Sequence, residues 1–278
     1  MYLERWLGSR TGGLEAGEFQ LSRLQRTVDY AYRESAFYRD SFNRAGVKPT
    51  DICCLNDLSL LPFVTAKDLR DEPYRMLCVS LSGVQRVFTL YTGGTSGAPK
   101  KVFFSAADFD GITDYMGAAM RSVAVGGGIA EDAFKAYIIL PDGKPESQQK
   151  SLARGVERVG GVPILGDLAL GVDEQIERIA KSRPDILFGP VSRIYKMSLR
   201  ARETADLKQL GVKVIFTTSE YMPPSMRQRL EDIWNAEVFT HYGMTEMGWA
   251  GGVECQAHEG FHFNEVDFLL EIIDRLAA

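Results

Sequence analysis

The spacing of apolar residues changes along the chain, and each change predicts a different element. In "GEFQLSRLQRTVDYAYRES", Leu21, Leu24, Val28, Ala31 and Tyr32 fall on one helical face, which predicts a helix within a helical region over 1–83. "LPFVTAKDLRD" offers a helix start, with Thr65 as N-cap and Asp68 three residues on. The period then shortens to a strand, a glycine-rich loop and a second strand, "KKVFFS". Ser105 and Asp108 next cap a helix through "AADFDGITDYMGAAMRSVAV", which ends at Gly126–Gly128.

From there strands and helices alternate. "KAYIIL", "GVPIL", "PDILFGP", "GVKVIFTTSE" and "AEVFTHYG" read as strands. Between them "SQQKSLARGVERVG", "DEQIERIAKSR", "VSRIYKMSLRARE" and "PPSMRQRLEDIWN" read as helices, the last with proline at its start. This alternation predicts an α/β fold of largely parallel βαβ layers over 84–278, behind the helical N-terminal region. A further strand is expected in "EVDFLLEIID", close to the last residue.

With 278 residues, 45% of them hydrophobic and 25% charged, the chain has the composition of a globular protein able to bury a sizeable core. A net charge of -5 argues against a general nucleic-acid binder. No apolar run is long enough to span a bilayer, and "MYLERWLGSR" lacks a signal-peptide core. A cytoplasmic protein with no nucleic-acid or membrane partner is therefore expected. Cys53, Cys54, Cys78 and Cys255 form no disulfide framework in a chain of this length.

Candidate chemistry begins at "YTGGTSGAPKK". Small residues with hydroxyls and free N–H groups, ending in lysine, suit a loop that wraps phosphate. It departs from G-x-x-x-x-G-K-[ST], because Ala98 and Pro99 separate Gly97 from Lys100 and the chain returns into a strand. Two more polar clusters follow strands: "TTSE" after "VKVIF", and "YGMTE" after "AEVFTH". In open parallel sheets ligands sit beyond the carboxyl ends of strands. A phosphate loop, a turn and a carboxylate gathered at that edge would make a nucleotide–magnesium site. Each feature also has a plainer reading: a hairpin loop, a solvated glutamate, a packed tyrosine.

The three clusters, in this order, resemble the adenylate-forming superfamily of acyl-CoA and aryl-CoA ligases. Its phosphate loop, typically T-S-G-T-T-G-x-P-K, is matched by Thr92 to Lys100, with Gly93 where serine is common; its Y-G-x-T-E motif is intact at Tyr242, Gly243, Thr245 and Glu246. "SAFYRDSFNRAGVKPTDICCLNDLSLLPFVTAKDLRDEPY" is similar to the phenylacetate–CoA ligase branch, as is "YGMTEMGWAGGVECQAHEGFHFNEVDFLLEIID". The resemblance implies that Thr92, Gly94, Thr95, Ser96 and Gly97 cradle the ATP phosphates and that Lys100 adds charge there. It implies that Ser219 and Glu220 lie along the adenine, that Tyr242 stacks on the base beside Gly243, and that Thr245 bonds the α-phosphate. Glu246 would hold Mg²⁺, which favours a carboxylate plus phosphate oxygens.

The implied activity is ATP-dependent activation of a carboxylic acid, with an aromatic acid as the candidate, and transfer to coenzyme A. Alternatives are a non-catalytic nucleotide- or acyl-adenylate-binding protein and an adenylyltransferase with another acceptor. A homodimer is one expectation. Complete members of the family continue into a ribose-binding aspartate, a hinge and a small lysine-bearing domain. The chain is accordingly expected to be the large N-terminal part of an adenylation domain. Finally, Cys255, His258 and His262 have a C-x₂-H-x₃-H spacing that suits zinc, against the alternative of a buried cysteine beside surface histidines.

Overall fold

The computed structural model describes residues 2–90, 100–130, 133–141 and 147–272. The chain divides into two compact units, one of Met1–Trp6 with Phe109–Asn264, the other of Leu7–Asp108 with Glu265–Ala278. Helix α1 (Tyr2–Arg10) opens the chain.

The smaller unit is helical and then a hairpin. Helices α2 (Ala16–Glu34) and α3 (Ala36–Ala45) meet at Ser35, whose buried hydroxyl accepts from the N–H of Tyr38 at 3.3 Å and donates to the Arg75 carbonyl at 2.9 Å. Val28 of α2, Phe42 of α3 and Ile52 form its core, with Leu24, Tyr32, Tyr38 and Leu61 packed around them. Helix α4 (Ala66–Asp71) starts as expected: Thr65 accepts from the Asp68 N–H, and Asp68 accepts from the Thr65 N–H at 2.7 Å. Strands β1 (Val84–Leu90) and β2 (Lys100–Ser105) pair antiparallel, with Leu90 opposite Lys100.

Helix α5 (Ala106–Gly126) carries the chain into the larger unit, capped by Asp108 on the Ser105 N–H at 2.7 Å. The elements that follow are β3 (Lys135–Ile138), α6 (Gln148–Arg158), β4 (Val162–Leu165), α7 (Val172–Ser182) and β5 (Ile186–Pro190). Then come α8 (Val191–Ala201), β6 (Val214–Thr218), α9 (Pro224–Trp234) and β7 (Glu237–Tyr242). Two short strands, β8 (Gly252–Glu254) and β9 (Phe261–Phe263), complete the sheet. Its order is β4-β3-β5-β6-β7-β8-β9, parallel from β4 to β7 and antiparallel from β7 to β9. The expected α/β class with a largely parallel sheet is thus observed.

The inner strands are apolar throughout because both faces are covered. Leu187, Ile215 and Val238 pack against Ile179 of α7, Ile194 and Met197 of α8, and Leu230 and Trp234 of α9. On the other face, the glycines ending α5 let it approach closely: a Cβ on Gly127 would collide with the Val214 side chain. Helices α5 and α6 also touch through glycines. A Cβ on Gly155 would stand 2.5 Å from the Thr113 carbonyl oxygen, and one on Gly117 would strike the Gly155 carbonyl. Beside this contact the Thr113 and Ser151 hydroxyls bond at 2.8 Å. Gly155→Ala should therefore separate the helices and cost about 1–3 kcal/mol, measured as a lower urea midpoint; an unchanged midpoint would mean the contact yields freely.

One expected element is absent. Of "EVDFLLEIID", the described residues 265–272 form turn and irregular chain, not a strand. The segment belongs to the smaller unit, where Glu265 and Val266 line a pocket with Leu7, Leu14 and Phe19, and Asp267 bonds Arg23 at 3.3 Å. The sheet is extended instead by β8 and β9, whose connection turns back at His258 (φ 53°) and Gly260 (φ 140°). Among the described residues no helix is long and apolar enough to cross a membrane.

Candidate active site

The carboxyl ends of β5, β6 and β7 open onto a cavity of about 220 Å³ in the larger unit. Its apolar walls come from Met116 of α5, Leu152 of α6, Phe188 of β5 and Trp249; its polar rim comes from Thr218, Ser219, His241 and Thr245. The Gly117–Gly155 contact is what sets the adjoining Met116 and Leu152 this close. Two lining residues, Ser219 (φ 73°) and Trp249 (φ 53°), hold left-handed backbone without being glycine. Such conformations cost on the order of 1 kcal/mol or more and cluster at ligand sites. Gly243 is required for a different reason: a Cβ there would stand 2.6 Å from the Trp249 carbonyl oxygen and 2.9 Å from His241 Cε1.

The candidate residues fall in several places. Thr92, Gly94, Thr95, Ser96 and Gly97 lie outside the described residues. Lys100 opens β2 of the smaller unit and is half-buried. In the larger unit the structure brings Ser219, Gly243 and Thr245 to the cavity. Glu220, next to Ser219, turns its carboxylate onto the start of α8, accepting from the Ser192 N–H at 2.6 Å and the Ser192 hydroxyl at 2.8 Å. A carboxylate at a helix N-terminus satisfies free N–H groups and complements the helix dipole, so Glu220 has a structural task of its own. Tyr242 is 43% exposed, its ring 5.9 Å from Phe261 and 5.8 Å from Phe263. Glu246 sits half-buried in the turn Thr245–Met247. A single carboxylate one residue beyond a cavity-lining threonine suits a magnesium ion whose other ligands are phosphate and water oxygens.

Cys255, His258 and His262 are not gathered. Cys255 and His262 line a second cavity of about 390 Å³. His258 instead lies on Phe239, centroids 5.2 Å apart, with Nδ1 2.9 Å from the Arg227 guanidinium and Nε2 3.4 Å from Glu237. Among the described residues no three His, Cys, Asp or Glu side chains are grouped to hold a metal.

Two features were not visible in the sequence as site features. Arg227 of α9 meets both carboxylate oxygens of the buried Glu254 of β8 at 2.8 Å, and Glu254 also accepts from the Thr240 N–H at 2.8 Å. This pair ties α9 and β8 to the end of strand β7, two residues before Tyr242. The second is His241 of β7. It lines the cavity, is 7% exposed, and its Nδ1 lies 3.0 Å from the Thr218 hydroxyl. Burial pushes its pKa down to about 4, opposed by the Trp249 backbone carbonyl. The ring's Nε2 is buried from solvent.

No family model matches the chain. It is 30% identical over 269 residues to a phenylacetate–coenzyme A ligase of Aromatoleum evansii, covering 94% of this chain and 58% of that protein. A phenylacetate–coenzyme A ligase of Pseudomonas putida is 28% identical over 268 residues, covering 92% and 57%. The chain thus spans little more than half the length of the curated relatives it matches. In fold it is similar to a 2-hydroxyisobutyryl-CoA ligase crystallised in an open conformation with 2-HIB-AMP and CoA, with a TM-score of 0.75 and 21% identity over 88% of this chain and 54% of that one.

Proposed function

We propose that the chain belongs to the phenylacetate–CoA ligase branch of the adenylate-forming ligases, on its likeness to two such ligases over most of its length, and that it serves an ATP-dependent acid–CoA ligase. An acid's carboxylate oxygen attacks the α-phosphorus of ATP, and the bond to pyrophosphate breaks. The thiol of coenzyme A then attacks the acyl carbon, and AMP leaves. The observation that carries this reading is a cavity of mixed apolar and polar lining, Ser219 and Thr245 included, at the carboxyl ends of parallel strands.

In this reading the acyl group lies among Met116, Leu152, Phe188 and Trp249, with an aromatic acid of one ring as the candidate substrate. Thr245 donates to an α-phosphate oxygen, so that its hydroxyl meets charge that grows during attack. Tyr242, exposed enough to receive a base, stacks on adenine, and the Ser219–Glu220 backbone runs beside it. Glu220 acts through its cap on α8, holding that backbone in place. On the smaller unit, Lys100 and the loop before it are assigned the outer phosphates by the family resemblance. Glu246 would hold Mg²⁺, which when bound neutralises phosphate charge. Zinc forms no part of the proposal.

Glu246→Gln tests it. The variant should keep its thermal midpoint, bind ATP in chelator as the parent does, and lose more than about tenfold in Mg·ATP affinity. Calorimetry with and without magnesium measures this. Equal Mg·ATP affinity in parent and variant would take the metal away from Glu246.

A further inference from the structure

Resting on the reading of Tyr242 as the residue that stacks on adenine, we propose that Phe261 and Phe263 of β9 are positioning residues for that base, holding the Tyr242 ring across a gap left by Gly252. The strand register leads here. Tyr242, the last residue of β7, stands opposite Gly252 of β8, and Gly252 stands opposite Phe263 of β9. Residues in one such cross-strand row project from the same face of a sheet. The middle residue has no side chain, so the outer two meet over it. Strands two apart are separated by about 9–10 Å, yet the Tyr242 and Phe263 ring centroids are 5.8 Å apart. Phe261, two residues earlier on β9, shares that face and brings its ring to 5.9 Å. A Cβ on Gly252 would stand 3.0 Å from the Phe261 Cβ and 3.5 Å from Phe263 Cδ2. The two phenylalanines thus occupy the space that the glycine leaves, as aromatic side chains do over strand glycines.

The hairpin has other supports, so these rings are not needed merely to hold it. Tyr115 of α5 places its hydroxyl 3.3 Å from the carbonyl oxygens of both Gly251 and His262. The Asn264 N–H donates to the Gly251 carbonyl at 2.8 Å, and Arg227 holds Glu254. Phe261 is 41% exposed, which leaves it little role as core.

What the rings do supply is order at Tyr242. An exposed tyrosine by itself samples several rotamers, and freezing one on binding costs affinity. Neighbours tilted by 49° and 57° give it favoured ring contacts and restrict those rotamers in advance.

The test titrates AMP into the full chain and its variants, by calorimetry and by following the adenine H2 and H8 proton resonances, which a stacked ring moves upfield. The double variant Phe261→Ala, Phe263→Ala should bind AMP about threefold or more weaker, the cost of immobilising one side chain, with a smaller upfield shift. Phe263→Tyr keeps the ring and should bind as the parent does. In a Tyr242→Ala background the two phenylalanine substitutions should cost nothing further, because their effect passes through the missing ring. Phe261→Ala alone, at an exposed position, should fold and lose part of the same affinity, which decides the matter if the double variant unfolds. Parental AMP affinity in the phenylalanine variants, beside weakened binding in Tyr242→Ala, would overturn the inference while the stacking reading stands. An equal further loss in the Tyr242→Ala background would also overturn it, since the rings would then act on the hairpin as a whole. If Tyr242→Ala itself binds AMP as the parent does, with unchanged adenine shifts, the stacking reading fails and the inference with it.

Discussion

Glu254→Gln is expected to cost about 3 kcal/mol, the lower end of what breaking one side of a buried ion pair costs. The substitution leaves the Arg227 guanidinium without its counter-charge in a place where the arginine side chain is 20% and the glutamate side chain 6% exposed. It also weakens the acceptor for the Thr240 N–H and hydroxyl, held at 2.8 and 3.1 Å. The remaining partners of Arg227, the Val238 carbonyl and His258 Nδ1, carry no negative charge and do not replace a carboxylate. The double variant Arg227→Met, Glu254→Leu should recover most of the loss, because replacing both partners by apolar groups removes the stranded charge. Urea unfolding of the parent, single and double variants measures the coupling. Equal destabilisation in single and double variants would show that the pair acts through packing alone. The functional consequence is local: Thr240 immediately precedes His241 and Tyr242, so a slack β7–β8 pairing should also weaken nucleotide binding.

What the sequence revealed depends on how local the cause is. The helices and the parallel strands were legible because burial on both faces writes continuous apolar runs such as Ile186–Leu187–Phe188 and Val214–Ile215–Phe216. The start of α4 was legible because Thr65 and Asp68 cap each other across three residues. The role proposed for the "YGMTE" region rests on resemblance, and the structure gives residues around the site causes of their own. Gly243 is demanded by the approach of Trp249 and His241 as the loop folds back, and Glu220 by the start of α8, which is distant in sequence. Strands of three residues, β8 and β9, leave no period to detect. The apolar run after them reads as a strand by composition, yet Leu270 and Ile272 are exposed and only its start, Val266, lines a pocket of the smaller unit with Leu7 and Phe19. Arg227 and Glu254 are ordinary charged residues until the fold pairs them. His241 is similar: only the fold shows that its ring is buried at the cavity, with Nδ1 beside the Thr218 hydroxyl.

Lowering the pH from 6.5 to 4 should remove about 3 kcal/mol of stability through His241 alone. In the folded chain its pKa is pushed down to about 4 by burial, against an ordinary value of 6.5. Above pH 6.5 the imidazole is neutral in both states and contributes no pH dependence. Between 6.5 and 4 the unfolded chain takes up a proton that the folded chain refuses, so unfolding gains with each step down in pH. Below 4 both states are protonated and the slope vanishes. The shift of about 2.5 units, at 1.36 kcal/mol per unit, sets the size. Among the described residues no salt bridge to the ring relieves the cost; the groups against it are the Thr218 hydroxyl, the Phe216 ring and the Trp249 carbonyl. Carboxylates titrate over part of the same range, so the quantity to measure is the difference between the parent and His241→Gln. The amide keeps a polar group opposite Thr218 and does not titrate. Urea unfolding at half-unit steps should give the parent a steeper decline than the variant across this window, with parallel curves above it. Parallel curves throughout would mean that the imidazole admits its proton without cost, and that the floor of the cavity is wetter than its burial implies.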